Sequence, residues 1–430
     1  IEQTILDETE VFPAASGSKD NSIKDIDVKN IPANMKSDFK NLLKNFKNIF
    51  AKSELDIGNY TLSEVHLEFD NSKLTLEKER LMSGEKSKQL AELVKDLEDA
   101  NIVEKFNGTP LNICNPLLVD KSLVDKTHSG KLINKTVNKN HTPVYRMTLD
   151  ARKLNKALLN RTYNNPEAIE NILIKLRGKF VSQLDLKNGF FNIKTSEASR
   201  RYFCFWANNR LYTFTRLIQG ISASPSIMIT VMNTIFSVNT MQIIKNKYLP
   251  ENVANRIPES FDCFLSHYID DILIYSDSEI DHFYHLYATF AAIEYADFKL
   301  TPRKCNFFCN KLKVLGLFMN PREGYLQIDP QRAQAFLNWR PCSSLYELQS
   351  RLHSLKYFSR FLPELTHATF PLVSVLRKNV FTWGPEQQKA WHLIKALILA
   401  DIKAYIPHPE AQLVLTVDSS KINVSAVLFV

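Results

Sequence analysis

Two adjacent aspartates, Asp270 and Asp271, interrupt an otherwise apolar stretch. Cys263-Phe264-Leu265-Ser266-His267-Tyr268-Ile269 precedes them and Ile272-Leu273-Ile274-Tyr275 follows. The flanking runs predict two strands joined by a turn that carries both carboxylates. Such a turn is costly, because the like charges repel and the neighbouring strands draw them out of water. Bound divalent cations offset both costs. A third carboxylate, Asp185, stands in a further predicted strand, Val181 to Leu186, that could lie beside this hairpin. Three such carboxylates can hold two divalent ions about 4 Å apart, which is the arrangement for in-line phosphoryl transfer. Mg²⁺ suits it, since that ion takes a few carboxylates plus substrate phosphate oxygens. A lone Asp-Asp pair is more often an ordinary turn, so the rest of the sequence has to decide.

Charge is the next guide. The chain has 430 residues and a net charge of +8. Residues 121–160 hold nine Lys or Arg against two Asp, and residues 301–360 hold ten basic against three acidic residues. Between them, residues 261–300 hold eight acidic residues and one Lys. Two basic segments around an acidic centre suit a polyanion backbone with metal ions beside it. With 11 glycines in 430 residues, folds built on a Gly-rich phosphate loop are disfavoured. No apolar run reaches the roughly 18 residues a membrane span needs. The six Cys include no Cys-x-x-Cys pair and are expected as reduced, mostly buried thiols. The length predicts about three domains. The N-terminus has neither a signal peptide nor an initiator Met, as if excised from a longer precursor.

Along the chain, residues 1–35 read as a loosely held polar arm. Phe39, Leu42, Leu43, Phe46 and Phe50 recur at helical spacing, as do Leu90, Leu93, Val94 and Leu97 between Gly84 and Ala100. Thr127 to Thr142 is a candidate hairpin tip, followed by a strand over 144–149. Residues 203–206 and 211–214 predict a hairpin turning at Asn208-Asn209. A helix follows Pro225, and residues 239–260 form a polar insertion. Ser344 and Glu347 fit a capping box opening a helix to about Phe361. Residues 413–417 and 424–428 read as a last hairpin.

Six segments, taken in order, resemble a known family. Tyr268-Ile269-Asp270-Asp271 resembles the Tyr-x-Asp-Asp signature of reverse transcriptases, and Leu184-Asp185-Leu186-Lys187-Asn188-Gly189-Phe190 resembles their first carboxylate motif. Leu217 to Pro225 resembles the loop under the incoming nucleotide. Arg146 to Asn155 resembles the fingers motif of gypsy-type LTR retrotransposons. Val314-Leu315-Gly316-Leu317, and Phe381-Thr382-Trp383 through Trp391, resemble their thumb and connection.

The resemblance implies an α+β, right-hand polymerase with a ribonuclease H-like connection and a truncated ribonuclease H start. The expected divisions are an arm and helix (1–59), fingers (60–180 with 202–220), palm (181–305), thumb (306–375), connection (376–410) and a first ribonuclease H hairpin (411–430). The implied activity is RNA-directed DNA polymerase, extending a primer on RNA or DNA with two Mg²⁺ or, alternatively, Mn²⁺. Asp185, Asp270 and Asp271 are the implied catalytic and metal-binding residues, with the Leu186 carbonyl as a further metal ligand. Arg146, Leu186, Phe190 and Gln219 would bind the nucleotide, Arg146 through paired bonds to phosphate and Phe190 as a gate against a ribose 2′-hydroxyl. Leu315, Gly316 and Leu317 would grip the primer. Some of Arg351, Lys356 and Arg360 would touch the duplex, although His353 stands where the family often has Gly. Asp418 resembles the first carboxylate of ribonuclease H, whose remaining carboxylates the chain lacks. Expected partners are the template with its primer (a tRNA among the candidates), dNTPs, and either a second copy or the remainder of a Pol polyprotein. No membrane partner is expected. The expected location is the cytoplasm, within a virus-like particle. Two other readings remain: a palm-fold RNA-dependent RNA polymerase, and a non-catalytic or domesticated nucleic-acid-binding subunit.

Overall fold

The computed structural model describes residues 23–120, 145–159, 171–172, 175–176, 178–314, 316–356, 359, 362, 364–400, 404–405, 412, 414–419 and 424–429. The candidate hairpin tip at 127–142 lies outside them. The chain forms two units, one of residues 1–126, 133–176 and 180–309, the other chiefly of residues 310–430.

The first unit is built on a four-stranded antiparallel sheet in the order Leu265–Tyr268, Asp271–Ser276, Phe180–Asp185, Asn306–Cys309. Ile272, Ile274, Val181 and Leu184 are fully buried. These near-continuous apolar runs fit strands covered on both faces. Helix Glu279–Tyr295 packs on the sheet and buries Leu286, Phe290 and Ile293. The N-terminal helix Lys36–Asn45 joins the same core, where the Phe39 and Phe307 rings meet edge to face at 5.0 Å. Phe46 meets Tyr287 at 5.1 Å, and Phe50 meets Phe290 at 5.6 Å. Residues 23–35 are held more firmly than a loose arm. Ile26, Ile31 and Met35 are buried, and Arg303 pairs with Asp25. Their apolar side chains supply burial that the polar composition around them conceals.

A second sheet has the order Val103–Lys105, Arg210–Phe214, Cys204–Ala207, Ile113–Cys114. Its hairpin turns through Asn208 and Asn209, with φ of 51° and 58°. That is the mirror-image turn whose twist matches the strands, and Asn tolerates it. Strand Tyr145–Leu149 pairs antiparallel with Pro116–Asp120. The 239–260 insertion is mostly helical, with helix Val238–Lys247 burying Met241 and Ile244.

In the second unit, Leu312–Val314, Leu317–Asn320, Tyr325–Ile328 and Ala404–Tyr405 form one sheet. Helices Pro330–Leu337, Leu345–Lys356, Leu365–Lys378 and Pro385–Leu399 follow the first three strands. Phe361 lies outside the described residues, and helix Leu345–Lys356 is followed to Lys356. At its start the Glu347 N–H donates to Ser344 Oγ (3.2 Å), while the Glu347 carboxylate turns back to the Ser343 N–H (2.8 Å), one residue earlier than a regular box. The hairpin Val414–Ser419/Val424–Phe429 leaves Val414, Leu415 and Val417 more than half exposed. Among the described residues, no single helix is long and apolar enough to cross a membrane. All six Cys are free thiols, and only Cys263 is exposed.

Candidate active site

Backbone pairing brings the first two carboxylates together. Asp271 stands directly opposite Asp185 across neighbouring strands, and Tyr268 opposite Asp271 closes the hairpin. Side chains at such cross-strand positions are about 5 Å apart at their roots. The two-residue turn is Ile269-Asp270, with Ile269 at φ 58°. For a β-branched residue this is a true outlier, costing on the order of 1–3 kcal/mol. Asp270 is thereby turned toward the segment after Asp185. A Cβ placed on Gly189 would stand 3.5 Å from the Asp270 Cβ and 2.9 Å from Met228 Cε. A side chain there would touch Asp270 and displace the flexible end of Met228, so Gly189 marks how closely the two turns approach.

Asp185 is 6% exposed. Its backbone carbonyl accepts from the Thr301 N–H (2.9 Å), and Lys304 Nζ stands 3.5 Å from its Oδ1. The Gln183 side-chain amide faces Asp271 at 3.4 Å. Among the described residues, no three His, Cys, Asp or Glu side chains are gathered into a metal-holding group. What the structure brings together is the Asp185–Asp271 pair with Asp270 beside it. Like charges hold one another off, and an ammonium stands where a cation is wanted. The oxygen-only donors and the lysine already drawn to them fit a hard divalent ion.

The Asp185–Phe190 turn is fastened from the N-terminal side. Lys187 is 1% exposed and pairs with Glu54 at 3.0 Å. The Asn188 amide donates to the Glu54 carbonyl (2.8 Å), and the Asn192 amide donates to the Lys187 carbonyl (2.8 Å). Asn192 Oδ1 in turn accepts from the Gly58 N–H at 2.6 Å. Gly58 has no room for a side chain, since a Cβ would fall 1.8 Å from the Asp297 carbonyl oxygen. Phe190 leaves this turn half-buried against the core. Leu186 forms a bridge with Leu300 whose two bonds, Lys187 N–H to Lys299 O and Thr301 N–H to Asp185 O, leave the Leu186 carbonyl out.

Gln219 is exposed, next to Gly220 at φ 96°. Asn155 clips this loop on both sides: its amide donates to the Gly220 carbonyl (2.8 Å), and its Oδ1 accepts from the Ser222 N–H (2.9 Å). Arg146 lies in strand Tyr145–Leu149 opposite Val119, and desolvation depresses its pKa.

In the second unit, Leu315 lies outside the described residues. Leu317 is a fully buried strand residue. Gly316 turns at φ 73°, and the Arg332 guanidinium lies where a Cβ would otherwise sit, at 2.3 Å. Arg351 is engaged within its own unit. Its guanidinium stands 5.3 Å from the Trp339 ring and 5.5 Å from the Trp391 ring, and it bonds the Glu347 carboxylate and the Arg340 carbonyl. Lys356 is exposed. Arg360 and the Asp418 side chain lie outside the described residues, although the Asp418 backbone pairs with Ser425. Lys304, Glu54, Asn192 and Arg332 lie outside the quoted motifs, and Asn155 ends the fingers segment without an assigned role; polarity is their only sequence signal.

Residues 133–319 match the family described as "Reverse transcriptase (RNA-dependent DNA polymerase)". The Pol polyprotein of transposon 412 from Drosophila melanogaster is 27% identical over 93% of this chain and 29% of its own length. The Tf2-3 polyprotein of Schizosaccharomyces pombe is 26% identical over 66% of the chain and 20% of its own length. The chain thus spans less than a third of these relatives. The foamy viral protease-reverse transcriptase, solved with double-stranded DNA, superposes with a TM-score of 0.72 at 18% identity, over 98% of this chain and 79% of that one. That likeness shows a shared fold. The chain carries a reverse transcriptase domain related to those of retrotransposon Pol polyproteins.

Proposed function

We propose that this chain is an RNA-directed DNA polymerase that extends a primer on RNA or DNA, as part of a gypsy-type retrotransposon Pol protein. The observation that carries the reading is the register setting Asp271 across from Asp185, with Asp270 held beside Gly189. Asp185, Asp270 and Asp271 would hold two divalent ions, Mg²⁺ or Mn²⁺, with help from the Leu186 carbonyl. When bound, such ions acidify a primer 3′-hydroxyl and neutralise charge on the transferred phosphoryl group.

The chain's own residues do the rest. The Asp185–Asp271 pairing fixes the donors before any ligand arrives, which is where positioning contributes most to phosphoryl transfer. Arg146 offers a planar guanidinium to phosphate oxygens. Gln219 faces the nucleotide or template from a loop clipped by Asn155. Phe190 bars a 2′-hydroxyl, selecting dNTPs. Gly316, with Leu315 and Leu317, guides the primer. A cytoplasmic virus-like particle, and association with a second copy or with further Pol domains, belong to the same reading.

Primer extension on an RNA template with the purified chain tests it. Synthesis with Mg²⁺, none with EDTA, and none from Asp185→Asn or Asp270→Asn are expected. Both variants should retain duplex binding, since affinity comes mainly from basic contacts to phosphate. Near wild-type synthesis in either variant would sink the assignment.

A further inference from the structure

Four polar side chains form a continuous run in the core beneath the carboxylates. Ser182 Oγ lies 2.7 Å from His282 Nε2. Ser276 Oγ lies 2.8 Å from His282 Nδ1 and 2.7 Å from His285 Nδ1. Ser182 and His282 are fully buried. Side chains alternate along a strand, so Ser182 and Ser276 face away from Asp185 and Asp271, toward helix Glu279–Tyr295. Apolar residues of similar shape would fill this space without desolvating six polar atoms, so the run calls for an explanation beyond packing.

Its protons can be assigned from its neighbours. The Phe308 N–H donates to Ser182 Oγ at 3.1 Å, which leaves the Ser182 hydroxyl proton for His282 Nε2. His282 then carries its proton on Nδ1 and donates to Ser276, whose own proton goes to His285 Nδ1. From Ser182 to Ser276, each of the three donors meets one acceptor while both rings stay neutral.

The run terminates on a strained residue. Phe308 has φ 51°, rare for an aromatic residue and costing on the order of 1–3 kcal/mol. It sits where strand Asn306–Cys309 slips against Phe180–Asp185. Asn306 faces Gln183 and Cys309 faces Val181, three steps against two, which is a bulge. Ser182 holds the Phe308 backbone, and the His282 ring packs edge-on against the Phe308 ring at 4.6 Å. A one-residue relaxation of this strand would exchange its faces. It would also shift the segment leading into it, from which Thr301 and Lys304 reach Asp185.

We propose that Ser182 and His282 are positioning residues for Asp185: they fix the Phe308 bulge, and the bulge fixes Thr301 and Lys304 against the carboxylate. The proposal rests on the polymerase reading of the site.

The test compares Ser182→Ala, His282→Leu and His282→Gln in the full chain, at a temperature where each is folded. Two quantities are read: kcat at saturating dNTP and template–primer, and amide hydrogen exchange over 301–308. Ser182→Ala and His282→Leu should exchange faster there and lose about tenfold in kcat with little change in dNTP KM, the mark of an interaction expressed in the transition state. His282→Gln, whose amide can still meet Ser182, should recover most of the loss. A run that serves only the core would lower the unfolding midpoint and leave both kcat and exchange over 301–308 at wild-type values, which overturns the proposal. Should His282→Leu not fold, Ser182→Ala, which removes a single oxygen, carries both readouts. Failure of the wild-type chain to extend a primer would reject the polymerase reading instead. Exchange alone would then decide: unchanged rates over 301–308 overturn the positioning, and faster rates sustain it.

Discussion

Lys304 stands against Asp185, with its Nζ 3.5 Å from Oδ1, on a segment whose backbone also bonds the Asp185 carbonyl. An ammonium in that place competes with a divalent ion for the same oxygen. Lys304→Met should therefore tighten Mn²⁺ binding, by up to about fivefold for a partly screened pair. Calorimetric titration of the wild type and the variant without nucleotide measures this. Equal affinities would mean that Lys304 leaves Asp185 at no cost.

Asn155 ties both sides of the loop that presents Gln219. Removing both bonds frees a loop that has to meet the nucleotide in one geometry. Asn155→Ala should raise dNTP KM by about tenfold, the worth of one to two ordinary hydrogen bonds. Asn155→Asp, which keeps the acceptor for Ser222 and loses the donor for Gly220, should fall between. Steady-state kinetics at saturating template–primer measures it, and equal KM values in all three would remove the loop from nucleotide binding.

Phe190 is half-buried, on a turn fastened by Lys187–Glu54 and Asn192. Its ring edge is thus fixed in place. Phe190→Ala should raise rNTP use relative to dNTP by one to two orders of magnitude, because a steric exclusion is removed while the turn stays fastened. Competitive incorporation assays read the ratio, and an unchanged ratio would return Phe190 to the core.

Features legible in the sequence are those whose signal is local. The Asp270-Asp271 hairpin shows because apolar runs flank a charge pair, and the 204–214 hairpin shows because Asn-Asn is turn chemistry. What was hidden depends on residues far apart in the chain. Glu54 meets Lys187 across 133 positions, and Asn155 meets Gly220 across 65. Neither partner is unusual alone. Arg351 is expected, with Lys356 and Arg360, as one of a set of which some touch the duplex; its contact with the rings of Trp339 and Trp391, 12 and 40 positions away, has no local signal. Helix Val238–Lys247 was concealed because only Thr240, Met241 and Ile244 of its ten residues are buried, too few for a clear stripe.

Burial also ranks the thiols. It pushes Cys114 up to about 11 and Cys204, Cys305 and Cys309 up to about 12, while Cys263 alone is exposed. Thiolate is the reacting form. A disulfide reagent at pH 8 should therefore label one thiol rapidly in the native chain, at Cys263, and all six in denaturant. Cys263→Ser should abolish the rapid phase. Fast labelling that persists in the variant would show that a buried thiol opens readily.

Acid should unfasten the first unit through its buried histidines. Desolvation lowers His282 from 6.5 to about 3 and His285 from 6.5 to about 4. A neutral His282 is also what the Ser182–Ser276 run requires, since a second ring proton would leave the Ser182 hydroxyl without its acceptor. Because both folded values lie below the unfolded value, the unfolded chain binds more protons between pH 6.5 and about 4. Stability is then fully present above pH 6.5. It declines as pH falls through that window, at roughly 1.4 kcal/mol per pH unit for each histidine. Hydrogen exchange of peptides from helix Glu279–Tyr295 reads the opening free energy at pH 7.5 and pH 5. Wild type should lose protection at pH 5, and His285→Gln, which removes one of the two titrating rings, should lose about half as much. Equal losses in the two proteins would assign the acid sensitivity to other groups.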